Sequence, residues 1–221
     1  MTFLKVLAFS ILAVIAGVLV TTLMEPAPSL GFPWQVEQQP DGSTQIFKIQ
    51  LGHTTLGEAE KLFQNTATLT LFSPPGSDPV VEAYFNELFI GGLKAKMVLT
   101  FDIEQQAIAA MYERGIRIST LGSGTRKVTL HSDDEAMMRQ QVINSMTYLP
   151  SINLQAGLIE KRFGEPTEKL IDAEGGAEHW LYPDTGVDIA LHAEQKEVIQ
   201  YVLPADFDKI KQPLLENRTA E

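Results

Sequence analysis

Between Lys5 and Glu25 the chain carries no charged side chain, and Val6 to Met24 is apolar except for Ser10, Thr21 and Thr22. As an α-helix, that run reaches about 28 Å, close to the hydrocarbon thickness of a bilayer. A core helix of a soluble domain would show a polar stripe, and this run has none. Two readings fit residues 1–24. A cleaved signal peptide has a shorter apolar core and a small-x-small site. The one site with small residues in place, Ala27-Pro28-Ser29, is crowded by Pro26 and Pro28. The preferred reading is an uncleaved transmembrane signal anchor over 1–24. Lys5 precedes the run and Glu25 follows it, so the positive-inside rule leaves the N-terminus in the cytoplasm. The expected localisation is the inner (cytoplasmic) membrane, single-pass, with the C-terminal domain in the periplasm.

Lys5 is the only charge before Glu25, which leaves 16 basic against 28 acidic side chains and a net charge of −12 beyond the run. Such a surface repels nucleic acid and anionic headgroups, and both are set aside as primary partners. There is no Cys. That excludes thiol catalysis, a disulfide and attachment through a lipidated cysteine.

Residues 25–43 read as a proline-rich, extended spacer followed by the turn Pro40-Asp41-Gly42-Ser43. The spacer is expected to hold the domain off the membrane. Short strands are expected at Trp34 to Gln38 and Thr44 to Leu51. Thr55-Leu56-Gly57-Glu58 fits a capping box, and Leu56, Ala59, Leu62 and Phe63 then fall on one helical face. A strand follows at Ala67 to Phe72. The clearest hairpin runs from Val80 to Ile90 through Gly91-Gly92 and out along Leu93 to Ile103, with strict apolar–polar alternation on the second arm broken only by Val98. Next come a helix at Glu104 to Arg114, a glycine loop at Leu121 to Gly124 and a strand at Arg126 to His131. Ser132-Asp133-Asp134-Glu135 reads as a second capping box opening a helix to about Val142. Asn153 is the expected cap of a further helix, with Leu154, Leu158, Ile159 and Phe163 inward and Gly164 at its end. A meander of strands then runs over Glu168 to Asp172, Glu178 to Tyr182, Val187 to His192 and Glu197 to Leu203. Pro204 to Lys211 reads as a closing helix, and Glu216 to Glu221 as a polar tail.

Two segments share an order of elements: Glu60-Lys61-Leu62-Phe63 and Glu160-Lys161-Arg162-Phe163 each end a helix that is followed by a strand hairpin. One helix on one face of an antiparallel sheet is the smallest unit that buries both apolar surfaces. The expected fold class is α+β: an N-terminal transmembrane helix, then two helix-plus-antiparallel-sheet units over 44–150 and 151–212, with a polar tail at 213–221.

The second unit carries a resemblance. Phe163-Gly164-Glu165-Pro166, Glu178-His179-Trp180-Leu181-Tyr182-Pro183, Gly186-Val187-Asp188-Ile189 and Glu197-Val198-Ile199 resemble the SmpA/OmlA (BamE) envelope unit. They also resemble the tandem units of the β-lactamase inhibitor protein fold. The likeness covers about 153–203. As a whole the chain resembles singly membrane-anchored envelope proteins of Gram-negative bacteria, through its apolar start, Pro33 to Val36 and the His179 to Pro183 stretch. The resemblance implies an envelope location and a tandem architecture, and it implies no activity.

The four histidines are His53, His131, His179 and His192, and no pair has metal-ligand spacing. His179 and His192 are candidates to meet across neighbouring strands with Glu178 or Asp188 nearby, and His179, His192 and Asp188 are the metal candidates the sequence offers. Surface strand positions explain it more simply, so the expected metal, cofactor and catalytic sets are empty. No Gly-x-Ser-x-Gly elbow occurs, and Gly122-Ser123-Gly124-Thr125-Arg126-Lys127 lacks the spacing of a phosphate loop. Trp180 and Tyr182 share one strand face, which favours core packing over a ligand platform. Two functions fit these observations. One is a non-catalytic interaction or scaffold module of the envelope with a protein partner. The other is an envelope hydrolase or ligand-binding domain whose site forms only in the fold.

Overall fold

The computed structural model describes residues 30–172 and 176–218. The apolar run Val6 to Met24 lies outside the described residues. Among those described, no helix is long and apolar enough to cross a membrane. The fold is α+β, with five α-helices among the described residues on a predominantly antiparallel framework.

The framework grows from the hairpin that the alternation predicts. After β1 (Glu37–Gln38), β2 (Thr44–Ile46), β3 (Ile49–Gln50), helix α1 (Leu56–Phe63) and β4 (Thr68–Ser73), the chain forms β5 (Val80–Ile90) and β6 (Leu93–Phe101). Gly91 and Gly92 both have positive φ, at 59° and 77°, which suits the tight turn between two twisted strands. Ala95, Met97, Leu99 and Phe101 are buried while Lys94 and Lys96 are exposed. A register shift between Phe85 and Leu88 absorbs the extra length of β5.

Helix α2 (Gln105–Glu113), strands β7 (Arg117–Thr120) and β8 (Arg126–Thr129) and helix α3 (Ser132–Met138) follow. Then comes β9 (Ile143–Pro150), to which the sequence reading assigns no element. Its alternation of Met146, Tyr148 and Pro150 with Ser145, Thr147 and Leu149 is that of a strand. Helix α4 (Ala156–Phe163), the meander β10 (Glu168–Ile171), β11 (Glu178–Tyr182), β12 (Val187–Leu191) and β13 (Val198–Val202), and helix α5 (Asp208–Arg218) complete the chain. The large sheet has ten strands in the order β10-β11-β12-β13-β9-β6-β5-β4-β8-β7. Strand β9 pairs with β6 on one side and β13 on the other, so one sheet crosses the 150/151 boundary.

One face of this sheet carries the main core. Leu56 and Ala59 of α1, Ile108 and Met111 of α2, Met138 of α3 and Ile159 of α4 all join it. The Thr55 capping box is present in both directions. Phe63 meets Phe85 edge-on at 5.3 Å, and the half-buried Phe163 lies 6.1 Å from Tyr182. The opposite face holds a smaller cluster in which Phe207 and Leu214 cover Leu170, Leu181 and Val202.

Local chemistry overrides several expectations. Thr44 to Leu51 is two strands, because Phe47 and Lys48 turn the chain with φ of 52° and 63°. Phe47 is buried there against Tyr148 and Tyr201, which offsets the cost of a left-handed non-glycine residue. The cap of α3 is His131, whose Nδ1 accepts the Asp133 N–H, and not Ser132; that helix stops at Met138. Gln155 precedes α4 and makes no side-chain cap, so Asn153 is not the cap; Leu158 is exposed. The C-terminal helix runs through 213–218 because Leu214 has an apolar site to fill. Finally, Leu30 to Pro33 is not an extended spacer. Gln35 N–H donates to the Phe32 carbonyl, Phe32 stacks on Trp34 at 4.9 Å, and the buried Tyr201 hydroxyl donates to the Pro33 carbonyl at 2.7 Å.

The two tyrosines of this cluster differ. Tyr201 has the Pro33 carbonyl as acceptor, whereas the buried Tyr148 hydroxyl has no partner among the described residues, and burial pushes its pKa up to about 12. A buried hydroxyl without a partner costs free energy, and one that is bonded contributes about 1 kcal/mol. Tyr201→Phe is therefore expected to lower unfolding stability by about 1 kcal/mol in urea titrations, and Tyr148→Phe to leave it unchanged or raise it. The reverse order would show that the Pro33 contact contributes nothing.

Candidate functional site

The strand register brings together part of the sequence-predicted trio. Leu181 pairs with Asp188 and His179 with Ala190, which puts His179 and Asp188 on the same face of adjacent strands β11 and β12. His179 Nδ1 lies 2.9 Å from Asp188 Oδ2 and 3.0 Å from Oδ1. Asp188 is fully buried and the His179 side chain is partly buried, at 14% exposure. Burial opposes a charge on His179. The Asp188 hydrogen bond and charge, with a further contribution from Asp172, outweigh it and raise the imidazole above its ordinary 6.5. His192 lies beyond the end of β12, where its Nδ1 accepts the Glu194 N–H at 3.2 Å. Among the described residues no group of three His, Asp or Glu is arranged to hold a metal.

An imidazole oriented by a buried carboxylate is half of a hydrolase triad, the other half being a hydroxyl on the second ring nitrogen. Among the described residues no hydroxyl bonds His179, and two of the clefts in the surface lie elsewhere. One, of about 350 Å³, is lined by Lys48, His53, Thr54, Glu58 and Leu62. Another, of about 750 Å³, includes Glu60, Lys61 and Arg139. Trp180 is buried in the core with Lys169 over its ring at 3.8 Å, so it offers no ligand platform.

The feature that sequence reasoning missed is the other end of the sheet. Strand β7 is the terminal strand, and all four of its residues are exposed. It pairs only with β8, through Arg117–Thr129, Ile118–Val128, Ser119–Lys127 and Thr120–Arg126. Residues sharing a pair share a face, so Ile116, Ile118 and Val128 lie on one side and Arg117, Ser119 and Lys127 on the other. Ile116 is 65% exposed and Ile118 49%. From Arg114 to Ser132 the sequence holds four basic residues and no acid, within a chain of net −11. Arg114 is committed to the buried Asp134, at 2.5 and 3.2 Å, and Arg126 donates to the Tyr112 hydroxyl at 2.8 Å. Arg117 and Lys127 form no ion pair among the described residues and point outward. The signal was present as an acid-free stretch, and it needed the topology to show that it sits on an open edge. Leu121 to Gly124 is the hairpin loop of this ribbon, as its glycines predict.

No family model, no curated protein and no solved structure matches the chain.

The raised His179 gives a pH signature. A histidine with a folded pKa above its unfolded value stabilises the fold fully below 6.5 and loses that effect as the pH rises through the raised value. Unfolding free energy is expected to fall as the pH rises from 6 to 8. Asp188→Asn should flatten that slope, and an unchanged slope would show that the pair carries no pH dependence.

Proposed function

We propose that the protein is a non-catalytic interaction module, tethered to the inner membrane by Val6 to Met24, whose folded part lies in the periplasm and docks an envelope protein on strand β7. The observation that carries this is the open, basic edge. Natural proteins blunt exposed edges with charge, because an unpaired strand templates association. Charge of one sign repels a second copy of itself and attracts a strand of the opposite sign. The fitting partner segment is extended and alternates acidic with apolar side chains: acids over Arg117 and Lys127, apolar groups over Ile116 and Ile118.

The element order supports the tandem architecture. Helix α1 is followed by β4, β5, β6 and β9, and α4 by β10, β11, β12 and β13. The two sets lie in the sheet as β4-β5-β6-β9 and β10-β11-β12-β13 and meet through β9 and β13. This order supports the tandem plan which resemblance to the BamE and β-lactamase-inhibitor-protein units implies. Only the first set carries an insertion, and the β7–β8 ribbon is part of it. The hydrolase or ligand-binding alternative rests on the His179–Asp188 pair and lacks a hydroxyl or third ligand among the described residues.

A photocrosslinking amino acid in place of Ile118 is expected to give one discrete adduct with another protein in intact cells. The same probe in place of the exposed Leu158 should give none. Combined Arg117→Glu and Lys127→Glu should abolish the adduct. An adduct between two copies, or one indifferent to charge reversal, would contradict the proposal.

A further inference from the structure

The end of the sheet opposite the β7–β8 turn carries a second unexplained surface. Phe89, just before the β5–β6 turn, is 66% exposed, the most exposed large apolar side chain among the described residues. Its cross-strand partner is Lys94, whose ammonium is ion-paired with Glu87 on the same strand pair. The Lys94 carbonyl accepts the Ser151 N–H, and the Ser151 carbonyl accepts from Lys196. Ile152, the next residue, is 44% exposed. Phe89, Ile152, Lys94 and Lys196 thus form one patch. On the far side of the turn stand Phe32 and Trp34, with Arg162 over the Trp34 ring at 4.8 Å. The turn and this stack touch: a Cβ on Gly91 would lie 2.9 Å from the Phe32 ring.

The covalent chain says what faces this end. Pro33 is fixed by its carbonyl to Tyr201. Only nine steps separate it from Met24, and even fully extended they span about 30 Å. Leu30 lies within about 20 Å of the end of the apolar run by the same measure. The headgroup layer itself occupies about 5–7 Å of that distance. Aromatic rings beside Lys and Arg are the composition of a protein surface at the lipid headgroup level. We infer that this end, with Phe89 and Ile152 as its apolar contacts, Lys94 and Lys196 beside them and Arg162 over Trp34, rests on the phospholipid headgroup layer. The contact fixes the orientation of the sheet and turns the β7–β8 hairpin loop away from the membrane. The inference rests on the anchor reading of Val6 to Met24.

The chain has no Cys, so single-cysteine variants take a spin label without other changes. Phe89→Cys, Ile152→Cys and Ile118→Cys alter exposed side chains and leave the core intact. Each full-length variant is reconstituted into phosphatidylcholine vesicles containing phosphatidylglycerol, floated, and tested by power saturation with oxygen and with a water-soluble nickel complex. Labels at 89 and 152 are expected to be several-fold more accessible to oxygen, relative to nickel, than the label at 118. Floating protein in which all three sites show the aqueous ratio overturns this inference and leaves the anchor standing. Protein that does not float overturns both.

Discussion

Tyr148 sits opposite Met97 on one side and Ile199 on the other, because β9 is hydrogen-bonded to strands from both halves of the chain. The rest of the structure depends on that double pairing. Without β9, the meander β10–β13 and the hairpin β5–β6 would each expose a long strand edge next to an apolar face. With it, ladder hydrogen bonds continue across the middle of the sheet, and one core runs beneath both halves. Phe47 extends this centre by packing on both Tyr148 and Tyr201, and Tyr201 in turn holds the Pro33 carbonyl. Strand β13, the neighbour of β9, therefore also fixes where Pro33 sits on the domain.

Charge is distributed unevenly over the fold. Each strongly buried acid has a specific partner: Asp188 has His179, Asp134 has Arg114, and Glu197 accepts the Leu154 N–H at 2.8 Å. A buried charge without a partner would cost several kcal/mol, so these pairs permit carboxylates inside the fold more than they stabilise it. The Asp188–His179 pair is accordingly read as a satisfied internal ion pair. Arg117 and Lys127, which form no ion pair among the described residues, stand together on the β7–β8 ribbon, in a protein of net charge −11. A local sign reversal at an unpaired strand edge gives the proposed interaction its chemistry.

Much of this was legible in the chain. The hairpin that starts at Val80, the Thr55 cap and the C-terminal meander follow from alternation and turn residues; strand spacing put Asp188 near His179, while His192 falls beyond the end of β12. Strand β9 was not read because its alternation begins right after helix α3, and the Ser-Asp-Asp-Glu motif drew the helix boundary too far. Thr44 to Leu51 looked like one strand because a turn of two left-handed residues without glycine has no sequence signature. Its stability comes from the tertiary burial of Phe47. The Leu30 to Pro33 segment looked like a spacer because proline composition says nothing about a distant tyrosine. The basic ribbon was visible as composition, and only strand order reveals that it lies at the edge.

Native-state hydrogen exchange in increasing urea tests the central claim that β9 makes one cooperative sheet of both halves. Amides of β9, of its partner β6 and of β13 are predicted to exchange only through global unfolding, with the same free energy and the same urea dependence. Exchange of β10–β13 through a separate opening, at lower free energy than β5 and β6, would contradict it and leave two independently stable halves.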